Sequence, residues 1–244
     1  MSFTDRLQNI ATDMGADLFA ISYVGNAVDP DLVSLPNCIT VGVHLSDFLI
    51  SGIMDGPTYT YFQHYRTVNT LIDQITTRLV IELQRKGYMA CAIPASQSVK
   101  DRPGDYRGVF PHKTGAVHGG LGWIGRNGLL ITEQYGPSVR FGSVLTNAPF
   151  EEAVDRSDEM AKLAVKNCGD CFLCKENCPS GAIQGGLWQP GVPRDELVNA
   201  DTCSTHMTKA YGHIGRGSVC GRCIAVCPFA NTIEHPFNLT TRGA

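Results

Sequence analysis

The sequence is poor in charge and has no long apolar run. Only 18% of its 244 residues are charged, and 20 basic residues stand against 23 acidic ones, for a formal net charge of −3. That balance lacks the basic excess of proteins that track phosphate backbones, and it argues against nucleic acid as a partner. No stretch reaches the ~18 apolar residues of a membrane span, which argues against a membrane protein. The opening MSFTDRLQNIATDMGADLF has early acidic residues, no twin arginine and no apolar segment of signal-peptide length, so the expected compartment is the cytoplasm. There is no P-loop. A hydrophobic content of 43% describes a globular chain, long enough for one large domain or two modest ones.

Periodicity supplies the outline. Phe3, Leu7, Ile10 and Met14 mark one face of a helix over 2–14, with Ser2 or Thr4 as cap and Gly15 as stop. ADLFAISYVG and NCITVGVHL predict strands, and 58–86 predicts a long helix closed by Gly87. Tyr88–Ile93 predicts another strand. A loop rich in Pro, Gly and charge follows over 94–111, too long for a mere connector. HKTGAVHGGLGWIGRNGLLI then reads as a short helix, a glycine turn and a strand, and SVRFGSVLTN as the last strand of this part. Acidic EEAVDRSDEM marks a boundary, giving domains 1–158 and 159–244.

Cysteine is where the sequence is rich, with ten residues. CGDCFLCKENCP, 168–179, has the C-x2-C-x2-C-x3-C-P spacing by which bacterial ferredoxins hold a [4Fe–4S] cluster, and VCGRCIAVCP, 219–228, is a second, incomplete copy. In the two-cluster arrangement the last cysteine of each run crosses to the other cluster. On that rule Cys168, Cys171 and Cys174 take Cys227, while Cys178 joins Cys220, Cys223 and one more. Cys203 is the remaining cysteine of this half and completes the second set. Pro179 and Pro228 stiffen the turns after the last cysteines. Zinc also takes C-x2-C pairs, but it does not need four close cysteines ending in Cys-Pro, nor eight in this register. Tight C-x2-C spacing likewise favours metal ligation over disulfides. Cys38 and Cys91, in predicted strands, read as small buried hydrophobes.

Gly120, Gly122 and Gly125 match G-x-G-x-x-G, but a helix-like segment precedes them where a dinucleotide fold needs a strand. GGLGWIGRNGLLI, then GSVLTN, then the cysteine module with its distant extra cysteine, instead resembles the epoxyqueuosine reductases, with the reductive dehalogenases as more distant relatives. The resemblance extends over nearly the whole chain, MGADLFAIS included. It is nearest to a short group of double-cluster proteins that carry Y-x3-Y, here Tyr61 and Tyr65, and HKT, here His112-Lys113-Thr114.

The resemblance implies an α/β (α+β) chain, a nitroreductase-like N-terminal domain followed by a bacterial-ferredoxin-like two-[4Fe–4S] domain. It further implies base-off cobalamin in the first domain. Electrons would enter from a donor such as ferredoxin or flavodoxin, pass the two clusters and reduce the corrinoid, which is either cofactor for a small-molecule substrate or itself the substrate. The D-x-H-x-x-G carrier motif is absent, so no protein histidine on cobalt is suggested. FMN on the same fold is the alternative cofactor, and a non-catalytic electron-transfer protein is a third reading. Two departures argue against a tRNA substrate. The family's Asp-Ser-Ala-Pro run is missing, with Tyr106 and His112 in that neighbourhood, and no helical extension of the kind that helps hold tRNA follows the second cluster.

A reduced acceptor that ends protonated needs a donor, and His112, Lys113 and Tyr106 around the long loop are the candidates. Gly119, Gly120, Gly122 and Gly125 permit close backbone approach and read as a cofactor wall. Trp123 would stack on the ring and Arg126 would meet a phosphate. The structural alternatives are a tight turn, a core tryptophan and a surface arginine. Tyr61, Tyr65 and Asn69, at helical spacing, read as core, and His118 as structural.

Overall fold

The computed structural model describes residues 1–25, 27–28, 30–32, 34–97, 106–215 and 219–230. In chain order the elements are α1 (Phe3–Asp13), β1 (Leu18–Tyr23), β2 (Asn37–His44), α2 (Asp47–Ser51), α3 (Tyr59–Arg85), β3 (Ala90–Ile93) and α4 (His112–His118). A two-stranded ribbon follows, β4 (Trp123–Ile124) with β5 (Leu130–Ile131), then β6 (Val139–Thr146). The remainder is helical: α5 (Ser157–Cys168), α6 (Leu173–Glu176), α7 (Ala200–Tyr211) and α8 (Arg222–Ala225). The chain is thus α+β. No described helix is long and apolar enough to cross a membrane.

Contacts group the chain into two units, each discontinuous in sequence. The first comprises 1–44, 68–123 and 139–160, and the second 45–67, 124–138 and 161 onward. Two of the divisions fall inside α3 and α5 and a third splits β4, whereas the acidic stretch suggested a single cut between 158 and 159.

The first unit is built on an antiparallel sheet of order β1-β2-β6-β3. α1 begins at a capping box in which Ser2 and Asp5 each accept the other's backbone N–H. Ile72, Ile75, Leu79 and Leu83 bury one stripe of α3, as the helical period requires. Glu82, on the same helix and 3% exposed, is held by Arg6, Arg78 and Arg85 at 2.6, 2.9 and 2.8 Å, which ties α1 to α3. The hydrogen bond from Arg6, helped by the three positive charges, keeps its carboxyl below the usual range against the opposing effect of burial.

The two faces of the sheet differ in chemistry. Gly142 on β6 leaves room for Ile72 and Thr76 of α3. The opposite face carries Ala20 and Ser22 from β1, Cys38 and Thr40 from β2 and Ser143 from β6, and α4 packs there. These side chains are small, and so is the helix. A Cβ on Gly115 would stand 2.5 Å from Thr40 Oγ1 and 2.6 Å from Cys38 Sγ, and one on Gly119 would stand 2.7 Å from the Ala20 methyl. Gly115 and Gly119, four residues apart, therefore let α4 press against the strands. Ser22 donates to the Gly115 carbonyl at 3.1 Å, which closes the contact with a hydrogen bond.

Cys38 is fully buried, 3.5 Å from Thr40 Oγ1, and burial pushes its thiol up to about 11 despite hydrogen bonds with Thr40, Ser143 and Ser22. It packs with Val24, Leu35, Ile93, Phe110 and Leu145, with Cys91 at the edge, so both cysteines sit in the hydrophobic setting their neighbours suggested.

Gly115→Ala should overpack this helix–sheet contact and lower unfolding stability by ~1–3 kcal/mol. Urea unfolding at matched cluster content checks it; an unchanged midpoint would mean that α4 shifts without loss.

Candidate metal centre

The second unit holds the seven cysteines of the two runs and Cys203, and its backbone repeats itself. In the first run the N–H groups of Lys175, Glu176, Asn177, Cys178 and Gly181 donate to the carbonyls of Phe172, Phe172, Leu173, Lys175 and Cys178. In the second, Ile224, Ala225, Val226, Cys227 and Ala230 donate to Gly221, Gly221, Arg222, Ile224 and Cys227. Each bond recurs 49 residues later. Cys171, Cys174 and Cys178 are thereby matched by Cys220, Cys223 and Cys227, while the position matching Cys168 is Gly217. The short turns α6 and α8 carry Cys174 and Cys223, and the two helices pack together.

The missing ligand comes from α7. Asn199 caps that helix by accepting from Thr202 N–H at 2.9 Å, which places Cys203 in the first turn. Electrostatic coupling shows which thiols are neighbours. Burial and then Cys178 and Cys220 push Cys203 up to about 11. Burial also pushes Cys227 up to about 11, against an amide bond from Phe229, with Cys168, Cys174 and Cys171 adding to the rise. Cys174 is raised by burial and then by Cys168 and Cys171. Cys223 is raised by burial and then by Cys220, Cys203 and Cys178, with Cys174 last.

The neighbourhoods thus resolve into one quartet of Cys168, Cys171, Cys174 and Cys227 and another of Cys178, Cys203, Cys220 and Cys223. All ten cysteines of the chain are free thiols. Among the described residues no group of three or more His, Cys, Asp or Glu is arranged to hold a single metal ion. The quartets are to be judged as cubane sites, in which each thiolate meets a different iron. Four buried or half-buried sulfurs per site suit that purpose, because iron replaces the protons that burial and crowding otherwise retain.

Segments distant in sequence brace the module. Arg126, 8% exposed, donates to the carbonyls of Gly185 and Gly169, and its guanidinium lies 4.2 Å from the Phe172 ring centroid. Asn127 donates to the Cys223 carbonyl at 3.2 Å. Gly221, at φ +85°, caps α8; a Cβ there would stand 2.5 Å from Ile53 Cδ1 and 2.8 Å from Tyr61 Oη. Phe62 fills the space beside Gly215, and Tyr211 that beside Gly56.

Several candidates from the glycine turn prove to be engaged with protein. Gly119 faces Ala20, Gly120 faces Arg156, where an added Cβ would stand 2.9 Å from Cδ, and Gly125 faces Ile131. Trp123 is fully buried, as core. Arg126 is spent on carbonyls rather than offered to a phosphate. Gly122 sits in the same turn with φ +158°. The close approach expected of a cofactor is made by side chains instead.

Of the proton-donor candidates, His112 is bonded at both ring nitrogens. Nε2 lies 3.0 Å from the Pro94 carbonyl, which can only accept, so Nε2–H donates and Nδ1 accepts from the Ser143 hydroxyl at 3.0 Å. Burial above all drives its pKa down to about 4. Lys113 is half-buried in the first turn of α4, and Tyr106 is exposed. Residues 98–105 of the long loop lie outside the described residues. His118 pairs with the Tyr23 carbonyl at 2.9 Å and Asp155 at 3.3 Å, a structural role. Tyr61 is buried as expected, though within the cysteine unit, and Y-x3-Y was the signal for it. Asn127 had no signal of its own.

Residues 167–231 match the family described as a 4Fe-4S double cluster binding domain. The chain is similar to an epoxyqueuosine reductase of Listeria monocytogenes, 34% identical over 115 residues that cover 47% of this chain and 28% of that one. It spans well under two thirds of the length of the curated relatives it matches. Among solved structures, a reductive dehalogenase described with a mechanism for B12-dependent dehalogenation superposes with TM-score 0.68 at 16% identity, over 91% of this chain and 31% of that one. The epoxyqueuosine reductase of Streptococcus thermophilus gives TM-score 0.60 at 18% identity, over 97% and 68%. At such identities the likeness is one of fold.

Gly221→Ala places a Cβ on Tyr61 and Ile53 in a left-handed backbone, and should displace the Cys220–Cys223 turn. The purified variant should retain about half of the wild-type iron by colorimetric assay; full iron would show that the turn tolerates the change. His112 takes its proton more readily in the unfolded chain, so the stability it contributes is present above pH 6.5 and is lost as pH falls towards 4. The slope should be at most ~1.4 kcal/mol per pH unit. Chemical denaturation across that window should be flatter for His112→Asn.

Proposed function

We propose that the chain is an iron–sulfur oxidoreductase that takes electrons singly from a low-potential carrier, such as a ferredoxin or flavodoxin, in a reducing compartment such as the cytoplasm. The observation that carries this reading is the coupling of Cys203 to Cys178 and Cys220, and of Cys227 to Cys168, Cys171 and Cys174, within a segment that matches a 4Fe-4S double cluster binding domain. Cys168, Cys171, Cys174 and Cys227 would hold one [4Fe–4S] cluster, and Cys178, Cys203, Cys220 and Cys223 the other. Each cluster, when bound, stores and passes one electron. The chain itself supplies the thiolates, the Arg126 clamp on the carbonyls of Gly169 and Gly185, and the aromatic backing of Tyr61 and Phe62.

A corrinoid is the proposed acceptor, as cofactor for a small-molecule substrate or as the substrate itself. Its support is the fold shared with a protein described as B12-dependent. Of the residues assigned to its wall from sequence, Gly119, Gly120 and Gly125 face protein side chains and Arg126 meets backbone carbonyls. FMN is the alternative if the first unit is nitroreductase-like. For the accompanying proton the candidates are Tyr106, Lys113 and His112, the last with both ring nitrogens engaged. A specific observation favours a second reading: the Listeria relative is named for epoxyqueuosine reduction, which makes that modified nucleoside a substrate to test. The net charge of −3 and the missing Asp-Ser-Ala-Pro run weigh against it.

Anaerobic reconstitution followed by iron and sulfide analysis should give about eight of each per chain. Titration with hydroxocobalamin, and in parallel with FMN, should then give a stoichiometric visible-spectrum endpoint for the corrinoid. Bound zinc, or iron at half that level, would overturn the two-cluster reading. Intact clusters with no corrinoid endpoint would remove the acceptor alone. Turnover of an epoxyqueuosine-containing stem loop would establish the second reading.

A further inference from the structure

The two cysteine runs repeat one backbone pattern, but they differ at the second residue after the crossing cysteine. Cys178-Pro179-Ser180 is matched by Cys227-Pro228-Phe229. Ser180 Oγ lies 3.4 Å from Cys178 Sγ and accepts from Ala182 N–H at 3.3 Å. With its oxygen receiving the amide, and with the sulfur a metal-bound thiolate that can only accept, the hydroxyl proton points to sulfur. The equivalent position at Cys227 carries a phenyl ring, which has no proton to give.

Hydrogen bonds to cluster sulfurs are among the determinants of reduction potential, because they stabilise the extra negative charge of the reduced state. We propose that Ser180 tunes one cluster alone: its hydroxyl raises the potential of the cluster ligated by Cys178, and Phe229 leaves the cluster ligated by Cys227 without that aid. The inference rests on the two-cluster reading above. Each reduction adds one electron to a [4Fe–4S]2+ core to give [4Fe–4S]+, with no bond made or broken and no proton transferred; dithionite supplies the electron in the test.

The amides around the two sulfurs differ as well: those of Ser180, Ala182 and Ile183 bond Cys178, and that of Phe229 bonds Cys227.

The test is a dithionite titration of the reconstituted full chain, followed by electron paramagnetic resonance at controlled potential, after iron analysis has shown about eight irons per chain. Ser180→Ala should move one of the two reduction waves to more negative potential, by about tenfold in its equilibrium constant, and leave the other in place. Ser180→Thr, which keeps the hydroxyl, should titrate as wild type. Phe229→Ser should move the other wave to more positive potential. The proposal is overturned if Ser180→Ala moves neither wave or both alike, or if the two variants move the same wave. Should Ser180→Ala fail to assemble, Phe229→Ser decides the matter by the same criterion. A shortfall of iron in the wild type would instead sink the two-cluster reading, which keeps the two failures apart.

Discussion

Like charge brought together out of water is the constraint on which the second unit depends. Each quartet gathers four sulfurs from segments far apart in sequence, and their mutual repulsion and burial raise the thiols of Cys203 and Cys227 to about 11. Metal is what makes such a gathering favourable, and until it is bound the backbone must hold the sulfurs in place. α6 and α8 have only four residues each and bury little core of their own. The stabilising contacts come from elsewhere in the chain: Arg126 on two carbonyls, Asn127 on the Cys223 carbonyl, and Tyr61 and Phe62 against Gly221 and Gly215. That dependence explains why 45–67 and 124–138 group with the cysteines rather than with the sheet.

Local chemistry was legible in the sequence. Cysteine spacing states its purpose because three ligands of a cubane arrive on one tight turn, and residues 167–231 match a 4Fe-4S double cluster binding domain. The long helix and the strands were legible for a similar reason, since burial of one face leaves a period in the residues themselves. Cys203 was reachable only by elimination, because α7 delivers it from outside the repeat.

A glycine turn has more than one reading for a physical reason. A missing Cβ shows that something approaches the backbone, but not what. At Gly119, Gly120 and Gly125 the approaching groups are Ala20, Arg156 and Ile131, and the neighbouring Gly115 accommodates Thr40 and Cys38. Arg126 is similar: a guanidinium suits phosphate and carbonyl alike, and only the fold brings Gly169 and Gly185 within its reach. His112 seemed available from its place beside a long loop, whereas the sheet offers it Ser143 and the loop's own start offers it Pro94. Residues with several possible partners are the ones that sequence leaves undetermined.

Duplication followed by divergence accounts for what the repeated module can do. Matching backbone hydrogen bonds make the two runs geometrically alike, so any difference in behaviour must come from side chains and from the ligand each quartet draws from outside. The first quartet has Cys168 in sequence register; the second has Gly217 at that position and takes Cys203 from α7. Ser180 and Phe229 differ in the same way. A single cubane delivers one electron, and reductions that make or break two-electron bonds need a second before the first is lost. Two clusters in one chain hold both, and a pair of unlike sulfur environments allows the electrons to be held at unlike potentials. The asymmetries at Ser180 and Phe229, and at Gly217 and Cys203, are therefore differences by which otherwise matching runs can distinguish two electrons.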